Sequence, residues 1–330
     1  MRTTVVRSGV VLVGLCALAI VLAFSSTSAA QVPYQTMVQY TGPGEHPVSV
    51  VVDKVGNVWV SLQPICQVRK YAPNWRELVR IDLVGDCSED TGASGLAVDA
   101  TGRLYAAVVG SDAAVRGVYE VSPSGATFRI PGTEDIDFPN SIAFDHHNGT
   151  MYVTDMYGGS VWRIPHGGQA ERWISDSTLT GIPLPGTNGP PFGPNGIAVH
   201  HGYVLVSVSF LPRLVKVPIN GDGSAGEPQI LFDFMRLFSL GIFALDDIAL
   251  DVFGNIYASV VAGPKAVARL SADGTEIALL GDFPAAVTSL AFGTGKGSRK
   301  SLFVALNPEF GGTFSGIVKL DAGVPGRPVP

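Results

Sequence analysis

The sequence predicts an all-β fold, a six-bladed β-propeller closed by an N-terminal strand in the last blade. Three observations carry that prediction. A strand–turn–strand unit recurs six times, its spacing matches a four-stranded blade, and 40 Gly with 23 Pro in 330 residues supply many tight turns. The units are SVVVDKVGNVWV from Ser49, GLAVDATGRLYAAV from Gly95, SIAFDHHNGTMYV from Ser141, GIAVHHGYVLVSV from Gly196, DIALDVFGNIYASV from Asp247 and SLAFGTGKGSRKSLFVA from Ser289. The residues that end their first strands, Asp53, Asp99, Asp145, His200, Asp251 and Gly293, are spaced by 46, 46, 55, 51 and 42.

Residues 1–30 stand apart from the repeats. Arg2 and Arg7 precede the apolar run Gly9 to Phe24, and SSTSAA then supplies small residues before Gln31. That order reads as a secretory signal peptide, with mature protein beginning near Gln31 in a secreted or periplasmic location. The run is short for a membrane span, so no stable span is expected once it is cleaved. Residues 31–321 form the propeller. Within the units, GSVWRIPH, RLVKVPIN and AVARLSADG read as third strands, and AERWI, PQILFD and EIALL as fourth strands. The sixth unit has a third strand in GIVKLD (Gly316–Asp321) but then enters a Pro-rich tail, residues 322–330. Its fourth strand is therefore expected from TMVQYT (Thr36–Thr41), which also covers an open sheet edge.

Without residues 1–30 the formal charge moves from −6 to −8, because that segment holds Arg2 and Arg7 and no acid. An acidic chain without a basic, aromatic-interleaved cluster excludes nucleic acid as an expected partner. No serine nucleophile elbow, phosphate-binding loop or dinucleotide fingerprint is present. Cys66 and Cys87 fit either a disulfide in an oxidising compartment or two buried thiols.

Propeller topology places the residues that precede each innermost strand around one mouth of the axial channel. Those positions are Val48, Ser94, Asn140, Asn195, Asp246 and Thr288, with Glu45 three residues before Val48. Glu45, Asn140, Asn195 and Asp246 together offer two carboxylates and two amides, an all-oxygen set suited to a hard divalent cation such as calcium. Asn and Asp also begin strands as turn residues that bond their own backbone. Convergence of the side chains separates the two readings. Asp53, Asp99, Asp145 and Asp251 fall at the opposite strand end and read as turn residues, as do the pairs His146-His147 and His200-His201. Two insertions overhang the same mouth: Ser177–Gly193, a Pro/Gly loop feeding Asn195, and Phe232–Leu245, an apolar stretch feeding Asp246 that reads either as a short helix or lid or as packing over the blade tops.

On Gly44-Glu45-His46-Pro47, Asn140 in FPNSIAFD, Pro194-Asn195-Gly196 and Asp246, the chain resembles the senescence marker protein, gluconolactonase and luciferin-regenerating enzyme family. These are six-bladed propellers related in architecture to paraoxonase and diisopropyl fluorophosphatase, and the resemblance spans about residues 40–320. It implies one divalent cation, commonly calcium, at Glu45, Asn140, Asn195 and Asp246, with Asp246 also acting as base or nucleophile. It implies a hydrolase acting on a small-molecule lactone or related ester. Two positions depart from the family pattern. Phe138 stands where sugar lactonases of this type often place Arg, and Asp247 where they usually have Gly. Asp247 is thus a second candidate catalytic carboxylate. The alternatives are a non-enzymatic propeller that binds a ligand or protein on its loop face, and a phosphotriester hydrolase using the same mouth.

Overall fold

The structure, a computed structural model, describes residues 32–327 except 86, 88, 89 and 185. The leader read at residues 1–30 lies outside the described residues. Six four-stranded antiparallel sheets form the blades. Their innermost strands are Pro47–Val52, Gly92–Val98, Pro139–Phe144, Pro194–His200, Ala244–Leu250 and Ala285–Phe292. Blades 1 to 5 are sequential, and the sixth is completed by Tyr34–Gln39, which pairs antiparallel with Gly316–Asp321. Thr36 lies opposite Val318 and Val38 opposite Ile317. The closing strand begins two residues earlier than TMVQYT suggests, and Tyr40 N–H extends it with a 2.9 Å bond to the Ser315 carbonyl.

The strands are nearly continuous in apolar residues because both faces of each sheet are covered. Each gap between neighbouring blades holds its own core cluster. Trp59, Val68 and Ile81 of blade 1 meet Leu96, Val98 and Leu104 of blade 2, for example, and Phe303, Ala305 and Ile317 of blade 6 meet Val50, Val60 and Leu62 of blade 1. The axial channel is lined by rings of small and branched residues, including Val50, Leu96, Ile142, Ile197, Ile248 and Leu290, around a cavity of about 200 Å³. Asp53 and Asp251 sit at the hairpin ends, where each carboxylate accepts backbone N–H groups of the turn that follows, from Val55 and Asn57 and from Phe253 and Asn255. Asp99 and Asp145 do the same toward Thr101, Arg103 and His147, so all four are turn residues.

Every innermost strand carries a register break at its head. Pairing is interrupted between Pro47 and Ser49, Ala93 and Leu96, Pro139 and Ile142, Pro194 and Ile197, Leu245 and Ile248, and Val287 and Ser289. Such a bulge bends a strand and re-aims a side chain. The aligned residues Val48, Ser94, Asn140, Asn195, Asp246 and Thr288 all fall inside the breaks.

Backbone groups released by a buried bulge need other partners. Hydroxyls on the second strands supply them. The hydroxyls of Ser61, Thr154, Ser207 and Ser259 accept N–H groups from Ser49, Ser141, Gly196 and Asp247 of their own blades at 2.7–3.0 Å. The same hydroxyls donate to the head carbonyls of the next blade, on Ser94, Asn195, Asp246 and Thr288. Thr288 continues the series by donating to the Pro47 carbonyl at 3.0 Å, across the closing seam. Blade 2 has Ala107 at this position and meets blade 3 by close approach instead: a Cβ on Gly95 would sit 2.1 Å from the Asn140 carbonyl oxygen.

Cys66 and Cys87 form a disulfide with Cα atoms 5.8 Å apart, tying a turn of blade 1 to the loop that leads into blade 2. At the far mouth the tail crosses from blade 6 toward blade 4. Gly326 N–H bonds the Arg299 carbonyl, Val252 N–H the Pro325 carbonyl, and Arg327 N–H the Leu250 carbonyl. The Arg327 side chain enters the channel wall beside His146.

Thr154→Val tests the hydroxyl series. It keeps the shape of a fully buried side chain but removes the partner of Ser141 N–H and of the Asn195 carbonyl. A loss of about 1–3 kcal/mol in denaturant unfolding is expected; an unchanged midpoint would show that the bulges hold without it.

Candidate functional site

The bulges of blades 2 to 5 deliver one connected set of side chains. Ser94 donates its hydroxyl to Asn140 Oδ1 at 2.5 Å. Asn140 Nδ2 donates to Asn195 Oδ1 at 2.6 Å, and Asn195 Nδ2 donates to Ser209 Oγ at 3.3 Å. Ser209 Oγ in turn donates to the Leu245 carbonyl at 2.7 Å, next to Asp246. Asp246 closes the set through a side-chain hydrogen bond with Asn195. Of the residues singled out in the sequence, Asn140, Asn195 and Asp246 are therefore brought together. Each amide oxygen accepts one hydrogen bond and keeps a second lone pair.

Asp246 and Asp247 retain some solvent contact at the mouth but are walled in by protein atoms. Burial, with Asp247 as a like-charge neighbour, holds the Asp246 carboxyl well above the usual carboxylate range. Burial also pushes Asp247 up to about 6, against the hydrogen bonds it receives. Those bonds define its place. Asp247 accepts the Ser289 hydroxyl at 2.6 Å, its neighbour Ile248 N–H at 2.8 Å, and the Leu290 N–H of blade 6. Ser49 and Ser289 make the matching cross-blade contacts, accepting Leu96 N–H and Val50 N–H at 3.1 Å. Asp247 thus fastens two blades while its charge acts on Asp246.

Glu45 is engaged elsewhere. Its carboxylate forms an ion pair with the buried Arg69 of blade 1 and accepts Gly42 N–H at 2.9 Å. The hydrogen bond from Arg69 holds its carboxyl below the usual range. His46 Nδ1 lies 2.7 Å from Glu309 Oε1. Arg69 also lies over the Tyr40 ring, which places the Glu45 pair at the seam where the closing strand meets blade 1. Arg69 sits on a third strand, 24 residues beyond Glu45, and no spacing rule announces that contact. Among the described residues no three His, Cys, Asp or Glu side chains gather as a metal-binding group; the connected set holds carboxylates and amides instead.

The insertions behave differently from each other. Phe234–Leu240 is a 3-10 helix, and Phe234 and Ile242 are buried in the core between blades 4 and 5. The short helix expected of this stretch is present, and its Phe234 and the following Ile242 serve as packing. The Pro/Gly loop closes on itself through an isolated bridge between Ile182 and Phe192, is fastened to blade 4 where Phe210 N–H bonds the Phe192 carbonyl at 3.1 Å, and brings Phe192 to the mouth. Its role was missed because a lone aromatic in a Pro/Gly run gives no periodic signal.

No known family profile and no curated protein matches the sequence. The fold, however, is shared with solved structures. A luciferin-regenerating enzyme superposes with a TM-score of 0.69 at 15% identity, covering 90% of this chain and 98% of that one. A gluconolactonase from Xanthomonas campestris gives 0.63 at 15% identity, covering 90% and 91%. Regucalcin from Agrobacterium tumefaciens, a calcium-binding protein, gives 0.65 at 16% identity, covering 91% and 97%. These neighbours fit the resemblance carried by the strand-head residues, and at such identities they establish the fold.

Proposed function

We propose that this chain is an exported, divalent-cation-dependent hydrolase of a lactone or related ester. The observation that carries the reading is the charge balance of the strand-head set. Two walled-in carboxylates, Asp246 and Asp247, stand side by side, and no Lys, Arg or His among the described residues forms an ion pair with either. Buried like charges of this kind call for a compensating cation or for protonation.

The residues present fit a cation. Asp246 offers a carboxylate, Asn140 and Asn195 offer amide oxygens with a free lone pair, and all-oxygen donors suit calcium. The calcium-binding regucalcin neighbour supports that choice. Glu45 completes the set in this reading, in competition with Arg69. A bound cation would polarise the ester carbonyl and stabilise the charge that develops on its oxygen.

The chain's own groups supply the rest. Asn140 and Asn195, locked by their mutual hydrogen bond, orient the substrate. Asp246 takes the proton of the attacking water as that water's oxygen bonds to the acyl carbon. The acyl C–O bond then breaks, and Asp246 returns the proton to the departing oxygen. Burial and the Asp247 charge raise the basicity of Asp246, opposing the depression that a cation imposes. Asp247, with its oxygens engaged by blade 6, acts here through charge and position.

With purified protein, an ester and lactone panel with a phosphotriester arm should show ester cleavage that chelation abolishes. Asp246→Asn is expected to cost about 10²–10⁴-fold in kcat. A loss of only a few-fold at saturating calcium would remove Asp246 from the chemistry. Cation binding without cleavage of any substrate would instead favour a binding propeller.

The Glu45 assignment has its own check. Arg69→Met keeps an aliphatic stem over Tyr40 and releases Glu45, so calorimetry should find calcium bound about tenfold more tightly, the scale of one partly buried charge. Unchanged affinity would leave Glu45 a seam residue only.

Export is supported by the leader pattern and by the Cys66–Cys87 disulfide, since disulfides persist in oxidising compartments. N-terminal sequencing of protein recovered from medium or periplasm should begin near Gln31; an intact leader there would be against it.

A further inference from the structure

Four aromatic rings stand in series beside the strand-head amides. Phe138 and Tyr157 have ring centroids 4.4 Å apart, Tyr157 and Phe192 5.4 Å, and Phe192 and Phe210 5.8 Å. Their anchorage ties them to the site. Phe138 lies two residues before Asn140, and Phe192 three residues before Asn195. Phe210 follows Ser209, which bonds Asn195, and Tyr157 follows Met156, whose sulfur is 3.6 Å from Asn140 Nδ2.

The backbone beneath the rings is laced together. Phe192 N–H bonds the Ile182 carbonyl at 3.0 Å, Phe210 N–H the Phe192 carbonyl at 3.1 Å, and Met156 N–H the Phe138 carbonyl at 3.1 Å. Gly181 permits this fit, because a Cβ there would lie 1.8 Å from the Phe192 carbonyl oxygen. The rings are therefore held in place before any ligand arrives, which lowers the ordering cost of binding.

Yet none of the four is fully buried, whereas aromatics that serve the interblade core, Tyr152, Tyr257 and Phe234, are at most 1% exposed. The Tyr157 hydroxyl has no hydrogen-bond partner among the described residues, so the row presents apolar faces with one free polar tip. Such a wall stacks on flat apolar groups, and with one free hydroxyl it has few hydrogen bonds to offer the hydroxyls of a sugar ring.

Resting on the hydrolase reading above, we infer that the substrate is an aromatic ester or ring-fused aromatic lactone, whose ring stacks on Phe138, Tyr157, Phe192 and Phe210 while its carbonyl meets Asn140, Asn195 and Asp246. The rings are specificity-determining residues; they leave the bond-breaking step to Asp246.

The test compares a benzo-fused lactone with a sugar lactone on the calcium-loaded protein, in wild type, Phe192→Leu and Phe138→Leu. Binding of the benzo-fused lactam, which resists hydrolysis, is measured by calorimetry on the same proteins. The expected result is a kcat/KM at least about tenfold higher for the aromatic lactone, the worth of one or two ring contacts. Each variant should raise KM for the aromatic lactone and weaken lactam binding by about tenfold, with kcat nearly unchanged and the sugar lactone unaffected. Equal use of both lactones, with no effect of either variant, would overturn the inference and leave the hydrolase reading standing. Lactam binding that depends on the rings, with no lactone cleaved, would support the aromatic site while overturning the hydrolase reading. Absence of both cleavage and lactam binding would overturn both.

Discussion

The register break at the head of each innermost strand is the constraint from which the rest of this structure follows. A regular strand would alternate its side chains between the two faces of the blade. The six interruptions turn one residue per blade away from that alternation, at the same level of the ring. The break leaves backbone groups that a buried sheet cannot leave unpaired. Ser61, Thr154, Ser207 and Ser259 satisfy them, and each reaches the next blade with its remaining bonding capacity. One device thus takes the strand-head side chains out of the ladder's alternation and fastens neighbouring blades. Circular arrangement and candidate site therefore share a single origin.

Charge follows from the same geometry. Blades 3 and 4 place amides at the heads, blade 5 a carboxylate, and blades 1, 2 and 6 place Val48, Ser94 and Thr288 there. The polar set is consequently lopsided, joined from Ser94 to Asp246 by an unbroken line of hydrogen bonds. The aromatic row lies along the same arc, over blades 3 and 4. Polar and apolar features are concentrated along that arc, and Glu45 with Arg69 occupies the seam between blades 6 and 1.

The fold was legible because a propeller writes its architecture as a period. Six strand–turn–strand units gave the blade count, and the short sixth unit pointed to the closing strand. The same repeat puts Asn140, Asn195 and Asp246 at one level of the ring. What it could not show were contacts between residues with no fixed spacing. Arg69 reaches Glu45 from a third strand, and Asp247 reaches Ser289 across 42 residues. The aromatic row draws on residues from four separate connections. The apolar stretch ahead of Asp246 left a choice that hydrophobicity alone does not make, cover or packing; it forms a short helix, and Phe234 and Ile242 fill the gap between two blades.

The C-terminal tail adds a directional consequence. By crossing the far mouth and setting Arg327 against the Leu250 and Val199 carbonyls, it narrows the bore of the ring at that end. Between that end and the strand heads the channel of about 200 Å³ is walled mainly by apolar side chains, along which a charged acid would have to shed much of its water. For a charged molecule the near rim is therefore the less costly route both in and out, and an arriving molecule and a departing one would compete for it.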